Sequence, residues 1–252
     1  MTKKIAIFKT DDDEDWTKPY GNFADMAINV MNQCKPFDVE YRVFDVVNND
    51  FPKFTELLTG GYVGIYVTGS KYDSFDESTE WIVKLRKHLR HMIVENRGKF
   101  PPVVGVCFGH QIISYVLGAE VNRNPEGFEG GIVSIALNEY GTALFENKES
   151  LNLSELHNDI VFDVPTDVVN WGASAKCPVQ GFYRPNELLT FQGHPEFVNE
   201  VARNGYNLFY AKPDHNSITT EEYKSMETSI TTKTNDGLIA AKAIWKLYET
   251  TI

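Results

Sequence analysis

The segment Gly105-Val106-Cys107-Phe108-Gly109-His110-Gln111 sets a thiol between two glycines. An apolar run, Val103 to Val106, leads into it, and an apolar-periodic stretch to Leu117 leads out, closed by Gly118 in the position of a left-handed cap. A strand-turn-helix of this form lifts a nucleophile above the C-terminal edge of a sheet, on a turn that needs close backbone approach at its glycines. The helix N-terminus adds partial positive charge and free N–H groups. These favour a thiolate and offer donors to an oxyanion. Attack on a carbonyl carbon is therefore the chemistry open to Cys107. Cys34 and Cys177 have no such setting and read as small buried residues.

A thiolate needs a base. Of the six histidines, His194 stands after the apolar run Leu188 to Gln192, in Gly193-His194-Pro195-Glu196-Phe197. Pro195 restricts the backbone between ring and carboxylate, so Glu196 can turn back to accept the Nδ1 proton. That leaves Nε2 facing the thiol, the arrangement of a nucleophile-base-acid triad. His88 and His91 lie on an amphipathic helix and read as a solvated face, and His215 falls in a polar stretch. His110, in the first turn after the nucleophile, reads as packing or capping. His157, in Glu155-Leu156-His157-Asn158-Asp159, has a turn-like setting near the site. The pairs Cys107/His110 and His88/His91 each lack a second pair, so no metal site is expected.

The elements that position these residues alternate. Ile5 to Phe8 is a strand-length apolar run, followed by an acidic loop, Asp11 to Asp15, at the edge where the nucleophile lies. Phe23, Met26, Ala27, Val30 and Met31 recur with helical spacing. Strands follow at 39–46, 64–67 and 103–106, with a short helix near Phe54 to Leu58 and a long one over 77–95. This order predicts an α/β fold: an open, mostly parallel sheet with helices on both faces. After residue 120, short strands at 131–136, 168–175, 179–183 and 188–192 read as antiparallel additions to the sheet edge, with a turn at Arg184-Pro185-Asn186. Residues 198–209 and 236–248 read as helices. The stretch 211–235 between them, rich in threonine and serine, reads as a surface loop. The chain reads as one domain, 1–252, with a core at about 5–200 and a helical extension at 201–252.

Composition excludes several classes. With 24 Lys and Arg against 35 Asp and Glu, the net charge is −11. This argues against nucleic acid and anionic membranes as partners. Apolar residues at 42% suffice for a core. No apolar run reaches the ~20 residues that cross a bilayer, or the ~7 of a secretory signal. Three scattered cysteines point to a reducing, cytoplasmic setting.

The elbow G-V-C-F-G-H-Q with the later G-H-P-E closely resembles the class I, triad-type glutamine amidotransferases over residues 5 to about 200. The resemblance extends to stand-alone fungal members and plant γ-glutamyl peptidases of this length. It implies a flavodoxin-like sheet, Cys107 as nucleophile, His194 as base and Glu196 as orienting acid. It also implies an oxyanion hole from the N–H groups of Phe108 and, within Thr68-Gly69-Ser70, of Gly69. Substrate contacts are implied at Gln111 and in the loop containing Gly127 and Glu129, and no cofactor. The expected activity is hydrolysis of a γ-glutamyl amide or peptide, a small-molecule substrate, through a thioester on Cys107. The acidic loop would then select a cationic amine portion or repel anionic substrates, against the alternative of a solvated loop. Two other functions stand beside hydrolysis: a glutaminase subunit delivering ammonia to a separate synthase, and a non-enzymatic binding or stress protein of the same fold.

Overall fold

A computed structural model describes residues 2–211 and 218–250; His215 lies outside them. Among the described residues the order is β1 (Lys4–Lys9), α1 (Phe23–Asn32), β2 (Glu40–Asp45), α2 (Phe54–Thr59), β3 (Tyr62–Val67), α3 (Glu80–Arg90), β4 (Val103–Val106) and α4 (Phe108–Val116). It continues with β5 (Val121–Arg123), β6 (Glu129–Leu137), α5 (Glu139–Leu144), β7 (Ser150–His157), β8 (Asp159–Val161), β9 (Val169–Asn170) and β10 (Gly172–Ala173). It ends with β11 (Phe182–Arg184), β12 (Leu188–Phe191), α6 (Asn199–Tyr210), α7 (Thr220–Thr232) and α8 (Gly237–Glu249).

The central sheet runs β2-β1-β3-β4-β12-β11-β9. Neighbours from β2 to β12 pair in parallel; β11 and β9 extend the edge antiparallel. Strands β3, β4 and β12 are buried along their whole length, which is why they read as continuous apolar runs. Helices cover both faces. Leu85 and Leu89 of α3 and Ile112 and Ile113 of α4 fill one core, with Ile65 and Val103 of the sheet. Ala27 and Met31 of α1 and Ile244 and Trp245 of α8 fill the other, with Ile5, Ile7 and Val104. Two side-chain donors tie α8 down: Tyr248 Oη to the Ile65 carbonyl at 2.8 Å and Trp245 Nε1 to the Met31 carbonyl at 2.9 Å.

Four expectations are corrected. Residues 131–136 do not extend the central sheet: β6 pairs with β7 and β10 in a separate antiparallel sheet. Residues 188–191 are not an antiparallel edge addition: β12 lies inside the sheet and pairs in parallel with β4. The threonine-rich stretch contains a helix, α7, opened by a capping box in which Thr219 Oγ1 accepts from the Glu222 N–H and the Glu222 carboxylate accepts from the Thr219 N–H. Its Met226 and Ile230 bury against Phe128 and Ile132. His88 and His91 are not free in solvent, since both rings lie over Phe54, at 5.0 and 4.2 Å between centroids.

Candidate active site

The chain passes from β4 into α4 through Cys107, whose backbone sits at φ 51° and ψ −106°. A non-glycine residue there costs about 1–3 kcal/mol, so the surroundings must hold it. They do so from both neighbouring strands: the Cys107 N–H donates to the Phe191 carbonyl at 2.8 Å and the Gly109 N–H to the Thr68 carbonyl at 3.2 Å. Both glycines are dictated by contact. A Cβ on Gly109 would strike the Val67 carbonyl, and one on Gly105 would strike the Gly109 carbonyl. Gly109→Ala therefore lowers stability by about 2–4 kcal/mol, read as a lower urea midpoint with unchanged slope. An unchanged midpoint would contradict the tight elbow. The Phe108 N–H begins α4 and has no intrahelical acceptor.

His194 follows β12 and is fixed by its backbone, its ring and its neighbours. Its N–H donates to the Ser154 carbonyl of β7 at 2.8 Å. Its ring stacks on Phe197 at 3.9 Å with 9° between planes. Nδ1 lies 2.8 Å from Glu196 Oε1, and the Cys107 sulfur lies on the ring's other flank, close enough to act on its charge. Cys107, His194 and Glu196 are all buried. Burial works to lower the His194 pKa, but the Glu196 carboxylate and the Cys107 sulfur beside it outweigh burial and raise it to about 10. Sulfur, ring and carboxyl thus come together, with the ring hydrogen-bonded to the carboxylate.

Gly69, after β3, closes the third side. A Cβ there would lie 2.8 Å from His194 Cε1 and 3.5 Å from Cys107 Cβ, so only glycine lets this loop approach both. Thr10 Oγ1 fixes the loop by donating to the Gly69 carbonyl at 2.9 Å. A cleft of about 590 Å³ opens over Cys107 and His194. It is lined by apolar Trp16, Phe23, Leu156, Leu208 and Phe209 together with polar Asp11, Glu14, Ser70 and Lys71. The acidic loop after β1 therefore borders Cys107. Burial pushes the Asp11 carboxyl up to about 7, against hydrogen bonds from backbone N–H groups and the charge of Lys71.

The three residues expected to touch substrate are placed elsewhere than the walls of this cleft. Gln111 is buried in α4, and its Nε2 donates to the Asp159 carbonyl at 3.1 Å and to Gln192 Oε1 at 3.3 Å. Gly127, at φ +79°, closes a turn by donating to the Asn124 carbonyl at 3.0 Å. Glu129 joins a buried cluster behind the catalytic strand. Its Oε2 is 3.1 Å from His157 Nε2, and Ser174 Oγ donates to its Oε1 at 2.6 Å. Glu155 Oε2 is 3.2 Å from the same His157 nitrogen. Burial lowers the His157 pKa, but the two carboxylates outweigh it and raise it to about 10. His110 is structural: Nδ1 is 2.8 Å from Thr190 Oγ1, and burial lowers its pKa to about 3.

Sequence reasoning missed Asn235. From the turn before α8, its Nδ2 lies 2.8 Å from the His194 carbonyl, 2.7 Å from the Phe197 carbonyl and 3.0 Å from Ser154 Oγ. One side chain thus clamps the loop that carries His194 and Glu196. Nothing local in Thr-Asn-Asp-Gly announces this, because every partner is distant in the chain.

Comparison with known proteins gives the family. Residues 31–212 match the model of the family described as glutamine amidotransferase class-I. The chain is 51% identical, over 98% of its length and 97% of the relative's, to the Saccharomyces cerevisiae protein named "Putative glutamine amidotransferase YLR126C". It is 30% identical to Gamma-glutamyl peptidase 2 of Arabidopsis thaliana, over 79% of this chain and 78% of that one. The fold matches a glutamine amidotransferase from Thermotoga maritima with a TM-score of 0.71 at 16% identity, covering 99% of each chain. By sequence and by architecture, the chain belongs to the class I glutamine amidotransferase family.

Proposed function

We propose that this protein hydrolyses a γ-glutamyl amide bond through a γ-glutamyl thioester on Cys107. The observation that carries the reading is the convergence of Cys107 with a His194 ring hydrogen-bonded to Glu196, where Cys107 and His194 line an open cleft. The Cys107 thiolate attacks the γ-carbonyl carbon. The N–H groups of Phe108 and Gly69 receive the oxyanion, a contact whose loss typically costs about 100- to 1000-fold in rate. The His194 imidazolium protonates the departing nitrogen, and the C–N bond breaks. Water, deprotonated by the now neutral ring, attacks the thioester and releases glutamate. The γ-glutamyl peptidase relatives and the room above Cys107 support a substrate with more than ammonia on its amide nitrogen.

The experiment offers glutamine, glutathione and γ-glutamyl dipeptides to the isolated chain and measures released glutamate. Turnover without a partner supports a free-standing hydrolase. A chain silent alone and active only with an added synthase would support the ammonia-delivering subunit instead.

A pH profile follows from the same line. The pKa of His194 is raised, so the imidazolium that protonates the departing nitrogen persists through neutral pH and is lost as pH rises through about 10. Expected is kcat/KM for acylation that holds across neutral pH and falls only on the far alkaline side. A fall between pH 6 and 7 would mean an unperturbed imidazole, near ~6.5.

A further inference from the structure

Away from the Cys107 cleft, three metal-ligating side chains from distant segments converge. Glu129 opens β6, His157 ends β7, and Cys177 stands between β10 and β11. In the antiparallel ladder Glu129 lies opposite His157, so carboxylate and imidazole fall on one face. Strand alternation puts Glu155 on that same face. A Glu129 oxygen, a His157 nitrogen and the Cys177 sulfur all lie within 4.8 Å of one another, and all three residues are buried. Thiolate, imidazole and carboxylate together suit a tetrahedral zinc site and are too soft a set for magnesium or calcium.

Glu155 supplies a second, separate sign. It is 0% exposed, and among the described residues neither of its carboxylate oxygens has a hydrogen-bond partner. Its Oε2 lies 3.2 Å from His157 Nε2, and Glu129 Oε2 lies 3.1 Å from the same nitrogen. His157 Nδ1 is 3.0 Å from the Asp159 carbonyl, which only accepts, so Nδ1 carries a proton. Nε2 then offers at most one proton to two buried carboxylates, and leaving the other without a partner is costly. A divalent cation answers both at once. A ring N–H on a backbone carbonyl, with the opposite nitrogen bare, is also how zinc-binding imidazoles are held. The separations fit, since ligands ~2.0–2.1 Å from a tetrahedral zinc stand roughly 3.3 Å apart. Ser174 Oγ and Gln180 Nε2 donate to Glu129 at 2.6 and 3.2 Å and fix its carboxylate. Glu129 also lines a separate cleft of about 870 Å³ with Lys176 and Glu222, which gives an ion a way in.

We propose that Glu129, His157 and Cys177, with Glu155 supplying the fourth donor, bind a zinc ion. The ion ties β6, β7 and the 174–180 segment together, and so braces the strand whose Ser154 carbonyl receives the His194 N–H. Its role is structural, since all four ligands are protein side chains and none lines the Cys107 cleft. Binding expels the thiol proton, which otherwise donates to the Val179 carbonyl at 3.3 Å, and any proton on Nε2. The inference stands whether or not the chain cleaves γ-glutamyl bonds.

The test takes the full chain, purified without an affinity tag, equilibrates it with zinc, desalts it and measures its metal content by mass spectrometry. About one zinc per native chain is expected, and less than about 0.1 in Cys177→Ser and in Glu129→Gln. Circular dichroism shows that each variant folds, and the second guards against a packing defect in the first. Cobalt then reads the ligand. Bound in place of zinc, it gives a thiolate-to-metal charge-transfer band in the near ultraviolet. That band is expected to survive in Cys107→Ser and Cys34→Ser and to vanish in Cys177→Ser. A native chain that keeps less than about 0.1 zinc and shows no cobalt band overturns the inference, and leaves an imidazolium between two carboxylates. A band lost in Cys107→Ser but kept in Cys177→Ser also overturns it, by placing the metal at the cleft.

Discussion

Cys107→Ala lowers γ-glutamyl hydrolysis by about 10⁵-fold or more, the scale on which loss of a triad nucleophile acts. Alanine leaves the cleft, the N–H donors and the His194–Glu196 pair in place, so the residual rate is what binding and oxyanion stabilisation give alone. The strained backbone at residue 107 is set by the Phe191 and Thr68 carbonyls and the two glycines rather than by the sulfur, so the fold remains. Initial-rate assays with matched circular dichroism check both halves. A folded variant within about tenfold of the native rate would remove the sulfur from the mechanism, since no triad nucleophile is that dispensable.

Glu196→Gln lowers kcat/KM by about 10³- to 10⁴-fold and moves the alkaline limb of the pH profile to lower pH. Two effects act together. The amide oxygen can still accept from Nδ1–H but carries no charge, so the imidazolium that forms loses its counter-charge. The buried carboxylate is also the leading influence that opposes burial at His194. Without it, desolvation pulls the imidazole pKa down, and the imidazolium is lost at a lower pH. Both readouts come from one kcat/KM profile. A rate loss with an unmoved limb would assign Glu196 a packing role only.

The sheet was legible because burial on both faces leaves a simple mark. Ile5 to Phe8, Tyr62 to Val67 and Val103 to Val106 are continuous apolar runs, and parallel strands between two helical layers have to be. The elbow was legible for a steric reason, since Gly105 and Gly109 stand where backbone meets backbone. His194-x-Glu196 was legible because its partners are two residues apart. What escaped depends on distant chain. Strand β7 reads poorly because Glu155 and His157 interrupt its apolar pattern, and their burial makes sense only with Glu129 opposite. Helix α7 hid behind its threonines, although the capping box Thr219-x-x-Glu222 was there to be read. Gln111 was assigned to substrate by resemblance, whereas its amide is engaged by Asp159 and Gln192, which adjoin it only once the chain is folded. The acidic loop gained meaning once β1 and β3 were seen side by side, bringing Asp11 and Lys71 to the nucleophile's cleft.

The most direct measurement is rapid acid quench of the chain turning over a γ-glutamyl substrate, followed by mass spectrometry of the intact protein and its peptides. A single glutamyl adduct on the peptide bearing Cys107, formed and decayed at rates that match turnover, is the result expected. Glutamate release at full rate with no acyl-enzyme on that peptide, or with the adduct on another residue, would contradict it.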